Sequence, residues 1–219
     1  TGIDVARYQG TIDWTRVATS SVDFAMVRLG YRSYADGSIV EDPNARYNLQ
    51  EAQKNNIMLG AYFFSSAVNT TEAVEEANWA ADILDHYSIN YPIAYDCEGF
   101  LEETSRQYDM SVKERTDVAL AFLKQIEKRG MFYASKNDME KFHRWDMSRI
   151  EKHYKVWVAQ YPEVGYPTTE KSSYTGPHAM WQHTTKGVVP GITQNVDLDV
   201  AYFGYAEINP PISDVPPEE

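Results

Sequence analysis

Eight short runs of strand-forming residues punctuate this chain, and what separates them changes two-thirds of the way along. The runs are Gly2–Arg7, Asp23–Leu29, Ile57–Phe64, Tyr91–Tyr95, Gly130–Ala134, Lys155–Gln160, Ala179–His183 and Asn195–Val200. Between the earlier runs lie segments with helical spacing. Pro43–Asn55 sets Ala45, Leu49 and Ala52 on one face after a proline start. Thr71–His86 carries an alanine-rich stripe, with Thr70 or Thr71 as the cap. Ser111–Arg129 opens on a Ser-x-x-Glu capping box and stops at Gly130, and a shorter helix is expected over Lys136–Trp145. After Lys155 the connections are rich in Gly, Pro and Thr and too poor in helical pattern for full crossovers. Alternation of this kind demands a parallel α/β sheet with right-handed crossovers, and eight strands suit a barrel that is regular first and irregular last.

The length of 219 residues fits one barrel domain, expected over residues 1–206. Residues 207–219, rich in proline, read as a tail or linker stub to a removed or following module. With 20 Lys+Arg against 32 Asp+Glu the formal net charge is −12, and no basic block is present. Such a chain is a poor partner for nucleic-acid phosphates. No window approaches the ~20 apolar residues of a membrane span, so no span is expected. Cys97, the single cysteine, excludes an internal disulfide and a multi-thiolate zinc site. The five histidines show no His-Glu-x-x-His and no pattern that would activate Cys97 as a nucleophile. Neither a metal nor a cofactor is expected.

Acidic residues interrupt the apolar runs. Asp4 stands in the first, Asp96 and Glu98 close the fourth, and Asp197 and Asp199 lie in the last. A carboxylate on a core strand carries a desolvation cost unless it is paired, and an active site at the C-terminal ends of barrel strands gives all of them one reason. Asp96 and Glu98, at i and i+2, face the same side if the strand continues, with Cys97 turned into packing. Neighbouring carboxyls split their pKa values, which is what glycosidic cleavage asks of an acid and an anion. The same spacing also serves a helix cap or a loop ion pair, so the motif alone is weak. The 16 Tyr and 5 Trp suit a surface that stacks on sugars as well as a core.

Taken together, Gly2-Ile-Asp4-Val, Tyr8-Gln9-Gly10, Ile12-Asp13-Trp14 and Phe24-Ala-Met-Val-Arg28 form an opening that resembles glycoside hydrolase family 25. These are the Chalaropsis-type lysozymes, bacterial and phage muramidases among them. The resemblance continues through Gly60-Ala-Tyr62, Tyr95-Asp96-Cys-Glu98, Phe132-Tyr133-Ala-Ser135, Val156-Trp157-Val-Ala159-Gln160-Tyr161 and Trp181-Gln182, and closes at Val196-Asp197-Leu-Asp199. It implies a modified TIM-like barrel of five β/α units followed by three strands with few helices. By resemblance Glu98 is the general acid/base, Asp96 the second carboxylate, and Asp4 and Asp197 the aspartates of the first and last strands. Tyr62, Tyr133, Trp157 and Gln182 match groove-lining positions, with Tyr34 a looser match.

The implied substrate is the β-1,4 bond from N-acetylmuramic acid to N-acetylglucosamine in peptidoglycan, cleaved with retention. Either Asp96 is the nucleophile or it orients the sugar's own 2-acetamido group, and the second is preferred. The expected setting is extracellular or at a cell wall, as a secreted enzyme or phage lysin acting as a monomer. Ala6 and Cys97 depart from the family's usual residues without removing a proposed catalytic group, and Asp199 suits a structural hydrogen bond as well as substrate contact. Two rivals remain. One is a non-catalytic glycan-binding barrel, which predicts a missing carboxylate. The other is a chitinase-like N-acetylglucosaminidase, whose motif extends with acids upstream, where this chain has Pro92-Ile93-Ala94-Tyr95.

Overall fold

The structure, a computed structural model, describes residues 1–203. The expected domain boundary at 206 and the tail over 207–219 lie outside the described residues. All eight expected strands form, and one more joins them. They are β1 (Gly2–Val5), β2 (Phe24–Arg32), β3 (Ile39–Glu41), β4 (Met58–Phe64), β5 (Ile93–Asp96), β6 (Gly130–Ser135), β7 (Lys155–Ala159), β8 (Met180–Gly187) and β9 (Val196–Ala201). The addition is β3, an antiparallel partner of β2 in the register Gly30↔Glu41 and Arg32↔Ile39. At three residues it is too short to show alternation in the sequence.

The sheet order runs β1-β9-β8-β7-β6-β5-β4-β2-β3, and β1 also pairs with β2. That extra pairing closes an eight-stranded barrel and leaves β3 outside it. Seven strands of the ring run parallel, while β9 is antiparallel to both of its neighbours. One rim therefore collects seven C-terminal strand ends and the N-terminal end of β9. Because β9 runs backwards, Asp197 sits opposite Asp4, and Asp199 lies one step deeper, opposite Gly2.

The helices are α1 (Trp14–Val17), α2 (Ala45–Lys54), α3 (Thr70–Leu84), α4 (Val112–Ile126) and α5 (Met147–Ile150). Five β/α units are thus followed by three strands, as the sequence pattern requires. The capping box of α4 is complete, with the Glu114 N–H donating to Ser111 Oγ and the Ser111 N–H to Glu114 Oε2. Two details correct the sequence reading. Asn69, rather than Thr70 or Thr71, caps α3 by accepting from the Glu72 N–H. The helix expected over Lys136–Trp145 is one wide π-type turn, Asn137–Lys141. His143, at φ +48°, ends it, since a non-glycine residue there cannot continue a right-handed helix.

Strand alternation sorts the core into two compartments. Odd positions of β4 (Leu59, Ala61, Phe63), together with Tyr95, Phe132 and Val156, face outward and pack under α2, α3 and α4. Inside the barrel Phe24, Met26, Tyr91, Met131 and Met180 form an apolar plug, with the Phe24 and Tyr91 rings stacked at 4.3 Å. Gly60 makes that plug possible, because a Cβ there would collide with Met26 Sδ and the Pro92 carbonyl. Above the plug the inward side chains become polar, and the site begins.

Candidate active site

Each inward position above the plug follows from register. Arg28 on β2 lies beside Tyr62 on β4, Phe64 beside Asp96 on β5, Asp96 beside Tyr133 on β6, and Tyr133 beside Trp157 on β7. Gln182 on β8 lies beside Asp199 on β9, and Asp197 beside Asp4 closes the ring. All of these but Asp199, which lies beneath, line a cleft of about 420 Å³ at the rim. All nine positions expected from the sequence border it: Asp4, Asp96, Glu98, Asp197, Tyr62, Tyr133, Trp157, Gln182 and Tyr34.

Asp96 is the last residue of β5, buried, with Oδ1 free of any hydrogen-bond partner. The strand stops there, so Glu98 stands on the following loop and is exposed. The sense of the i, i+2 argument survives, because both carboxyls reach the cleft while Cys97 packs outward and donates to Gln107 Oε1 at 3.2 Å. Burial raises Asp96 well above the usual carboxylate range, and the adjacent Glu98 carboxyl raises it further. Tyr34, half exposed, donates its hydroxyl to the Glu98 carbonyl at 3.0 Å and pins that loop.

Gln182 organises the opposite side. Its amide NH₂ donates to Asp4 Oδ2 at 2.8 Å and to Asp197 Oδ2 at 3.3 Å. Its carbonyl oxygen accepts from the Tyr133 hydroxyl at 2.7 Å and the Tyr161 hydroxyl at 2.6 Å. With the phenols donating and the carboxyls accepting, this orientation of the amide serves all four partners. Trp157 donates its indole N–H to Asp199 Oδ1 at 2.8 Å and presents its ring edge to Tyr133 and Tyr62. Asp4 rises well above the ordinary range through burial and then the charge of Asp199, while Asp197 and Asp199 are each pushed up to about 8, chiefly by burial. Few donors reach these three aspartates, and Asp199 Oδ2 has none. Asp199 is fully buried and bonded to Trp157, which supports the structural reading of it.

Three features were not assigned to the site from the sequence. Arg28 is paired with buried Asp42 (Nε to Oδ2, 2.9 Å) and brings a cation to the cleft wall. Tyr161 supplies the second phenol on Gln182. Its only signal was its place in Val-Ala-Gln-Tyr after a strand. Tyr8, 63% exposed beside Arg28, follows the first strand and shows no periodicity that would mark it. Among the described residues no group of three or more His, Cys, Asp or Glu side chains is arranged to hold a metal ion, and no helix is long and apolar enough to cross a membrane.

A rim site of acids, an amide hub and aromatic walls is what known relatives can be compared with. Residues 3–192 match the family model described as glycosyl hydrolases family 25. The chain belongs to that family. Among curated proteins it is 28% identical over 200 residues to the uncharacterized protein YegX of Escherichia coli O6:H1, covering 91% of this chain and 68% of that one. Among solved structures it is similar to the modular autolysin LytC from Streptococcus pneumoniae in complex with a synthetic peptidoglycan ligand. The TM-score is 0.74 at 24% identity, over 90% of this chain and 45% of LytC. The bacterial lysozyme from Streptomyces coelicolor gives a TM-score of 0.72 at 19% identity, over 95% and 96% of the two chains. Membership of family 25 accounts for a barrel whose last strand is reversed, a departure from the all-parallel form.

Proposed function

We propose that this family 25 domain is a peptidoglycan hydrolase, an N-acetylmuramidase that cleaves the β-1,4 bond from N-acetylmuramic acid to N-acetylglucosamine with retention. The observation that carries the reading is the Asp96–Glu98 pair: one carboxyl buried with a free acceptor oxygen, its neighbour exposed, both on one cleft. Glu98 reaches solvent and the glycan, and protonates the leaving oxygen. The Asp96 carboxyl, which borders the cleft, accepts the N–H of the substrate's 2-acetamido group, turning the carbonyl oxygen toward the anomeric carbon. The acetamido oxygen then forms the bond that the leaving group gives up, and Asp96 supports the positive charge that develops. Glu98, now ionised, takes a proton from water in the second half of the reaction.

Asp4 and Asp197, held by Gln182, form the polar floor, and Tyr62, backed by the buried Trp157 and Tyr133, is the ring against which a sugar stacks. Tyr34 holds the Glu98 loop. The working setting is extracellular or at a bacterial wall, with the barrel acting as a monomer. The deciding experiment is mass spectrometry of peptidoglycan digested by the purified protein, after borohydride reduction of the new ends. Reduced muramic acid ends that disappear with Glu98→Gln are expected. Reduced glucosamine ends would transfer the reading to a chitinase-like bond, and no new ends would leave a glycan-binding barrel.

A further inference from the structure

A cationic, aromatic strip of Arg7, Tyr8, Arg28 and Tyr31 lies along β2 and the turn after β1, set between the cleft's acids on β1 and β5. In a chain of net charge −12 that strip needs a reason. Asp42 is its one carboxylate partner, and its oxygens are already used: Oδ2 accepts from the Arg7 N–H at 3.0 Å and from Arg28 Nε at 2.9 Å, and Oδ1 from the Asn44 N–H at 2.9 Å. Arg28 is 6% exposed, and its Nη2, though 2.9 Å from the same Oδ2, lies off the direction a hydrogen bond needs and has no acceptor. The Arg7 guanidinium is exposed and meets no carboxylate among the described residues.

Both guanidinium carbons lie just over 5 Å from the centre of the Tyr8 ring, at 5.2 Å for Arg7 and 5.1 Å for Arg28. Arg28 is also 5.3 Å from the Tyr31 ring. Two cations thus share one exposed aromatic ring, and only Arg28 has a carboxylate against its guanidinium, which leaves the Arg7 guanidinium unpaired by any carboxylate among the described residues. Their hydrogen bonding, Arg7 first and Arg28 second, holds the Tyr8 phenol below its ordinary pKa. Arg32, which also borders the cleft, differs, because Glu72, Glu75 and Glu76 take up its charge.

We infer that Arg7, Tyr8 and Arg28 form a subsite that binds a carboxylate carried by the glycan substrate. The inference rests on the muramidase reading above and deepens it by assigning a specificity determinant. The exposed Arg7 guanidinium, with its planar fork of donors beside the Tyr8 phenol and backed by the buried Arg28 charge, matches a carboxylate's two oxygens. Two sources carry that group in peptidoglycan: the lactyl arm of muramic acid where the stem peptide is absent, and the stem peptide itself.

The test compares kcat/KM on four substrates: glycan strands stripped of stem peptides, strands that retain them, and each set after carbodiimide coupling of its carboxylates to methylamine. Amidation should lower wild-type kcat/KM about tenfold or more in one set, which identifies the source. Arg7→Gln, an exposed change, should erase that difference, while Lys54→Gln on the outer face of α2 should keep it. Equal cleavage of amidated and free strands by wild type, or the same drop in Arg7→Gln as in wild type, overturns the subsite. Absence of new reducing ends on all four substrates overturns the muramidase reading and the subsite's ligand with it.

Discussion

At the scale of single residues, the site is built from a shortage of donors. Five carboxyls border or underlie one cleft, and the nearest cation, Arg28, is already committed to Asp42. Burial and the adjacent Glu98 carboxyl raise Asp96, while Glu98 stands exposed on the cleft, where it can pass a proton to the substrate. Glu98→Gln should therefore lose about 10²-fold or more in kcat while keeping glycan affinity and the wild-type melting temperature, as kinetics, calorimetric titration and thermal unfolding would show. Retention of most activity would remove Glu98 from the acid's role. Gln182→Leu keeps much of the volume but removes the one amide that donates to Asp4 and Asp197 and accepts from Tyr133 and Tyr161. Stranded buried polar groups should lower stability by about 2–4 kcal/mol, measurable by urea unfolding. Wild-type stability in that variant would mean water replaces the hub.

Elements show why some of this was legible in advance. A strand buried on both faces writes itself as an apolar run, so every barrel strand could be read, and an acid inside such a run marks the rim. The α4 capping box was equally plain, since Ser111 and Glu114 act within four residues. Ser111→Ala should accordingly cost about 1 kcal/mol, seen as a lower urea midpoint with an unchanged slope. An unchanged midpoint would mean water satisfies the Glu114 N–H equally well. What could not be read were features set by tertiary contact. The three residues of β3 pair only because β2 overhangs the barrel, and the wide turn at Asn137–Lys141 replaces a helix its composition permits. The end of β5 at Asp96 changes where Glu98 stands without changing which cleft it enters. Arg28 read as a strand residue in a familiar opening. Only the register that sets it beside Tyr62, and the fold that brings Asp42 beneath it, reveal a charge on the cleft wall.

For the whole molecule, closing the barrel around acids ties stability to pH in an unusual direction. Asp197 and Asp199 titrate near 8 in the folded state against 3.8 in their ordinary state, and Asp4 and Asp96 move the same way. Glu76, buried beneath the cleft's outer loops against Arg32 and Ser65, is raised from 4.5 to about 7. A group whose folded pKa is raised holds more protons folded than unfolded, so its stabilising effect is complete below the unfolded value. That effect is lost as pH rises through the folded one. Glu72 and Asp117 act oppositely, being lowered by Arg106 and by Lys113 respectively, and they withdraw support only as pH falls below the ordinary carboxylate range. Between those limits the raised groups dominate, so the melting temperature should peak near about pH 4 and fall steadily toward about pH 8. Asp199→Asn isolates one contributor. The amide keeps the shape beside Trp157 and Asp4 but cannot ionise, so the variant should lose less stability than wild type across that interval, by an amount on the order of a few kcal/mol. Thermal unfolding of both proteins through the pH series checks this. Parallel curves would mean that the charge on Asp199 is relieved by solvent reaching the barrel interior, and the dry, donor-poor floor assigned to the site would then be wrong.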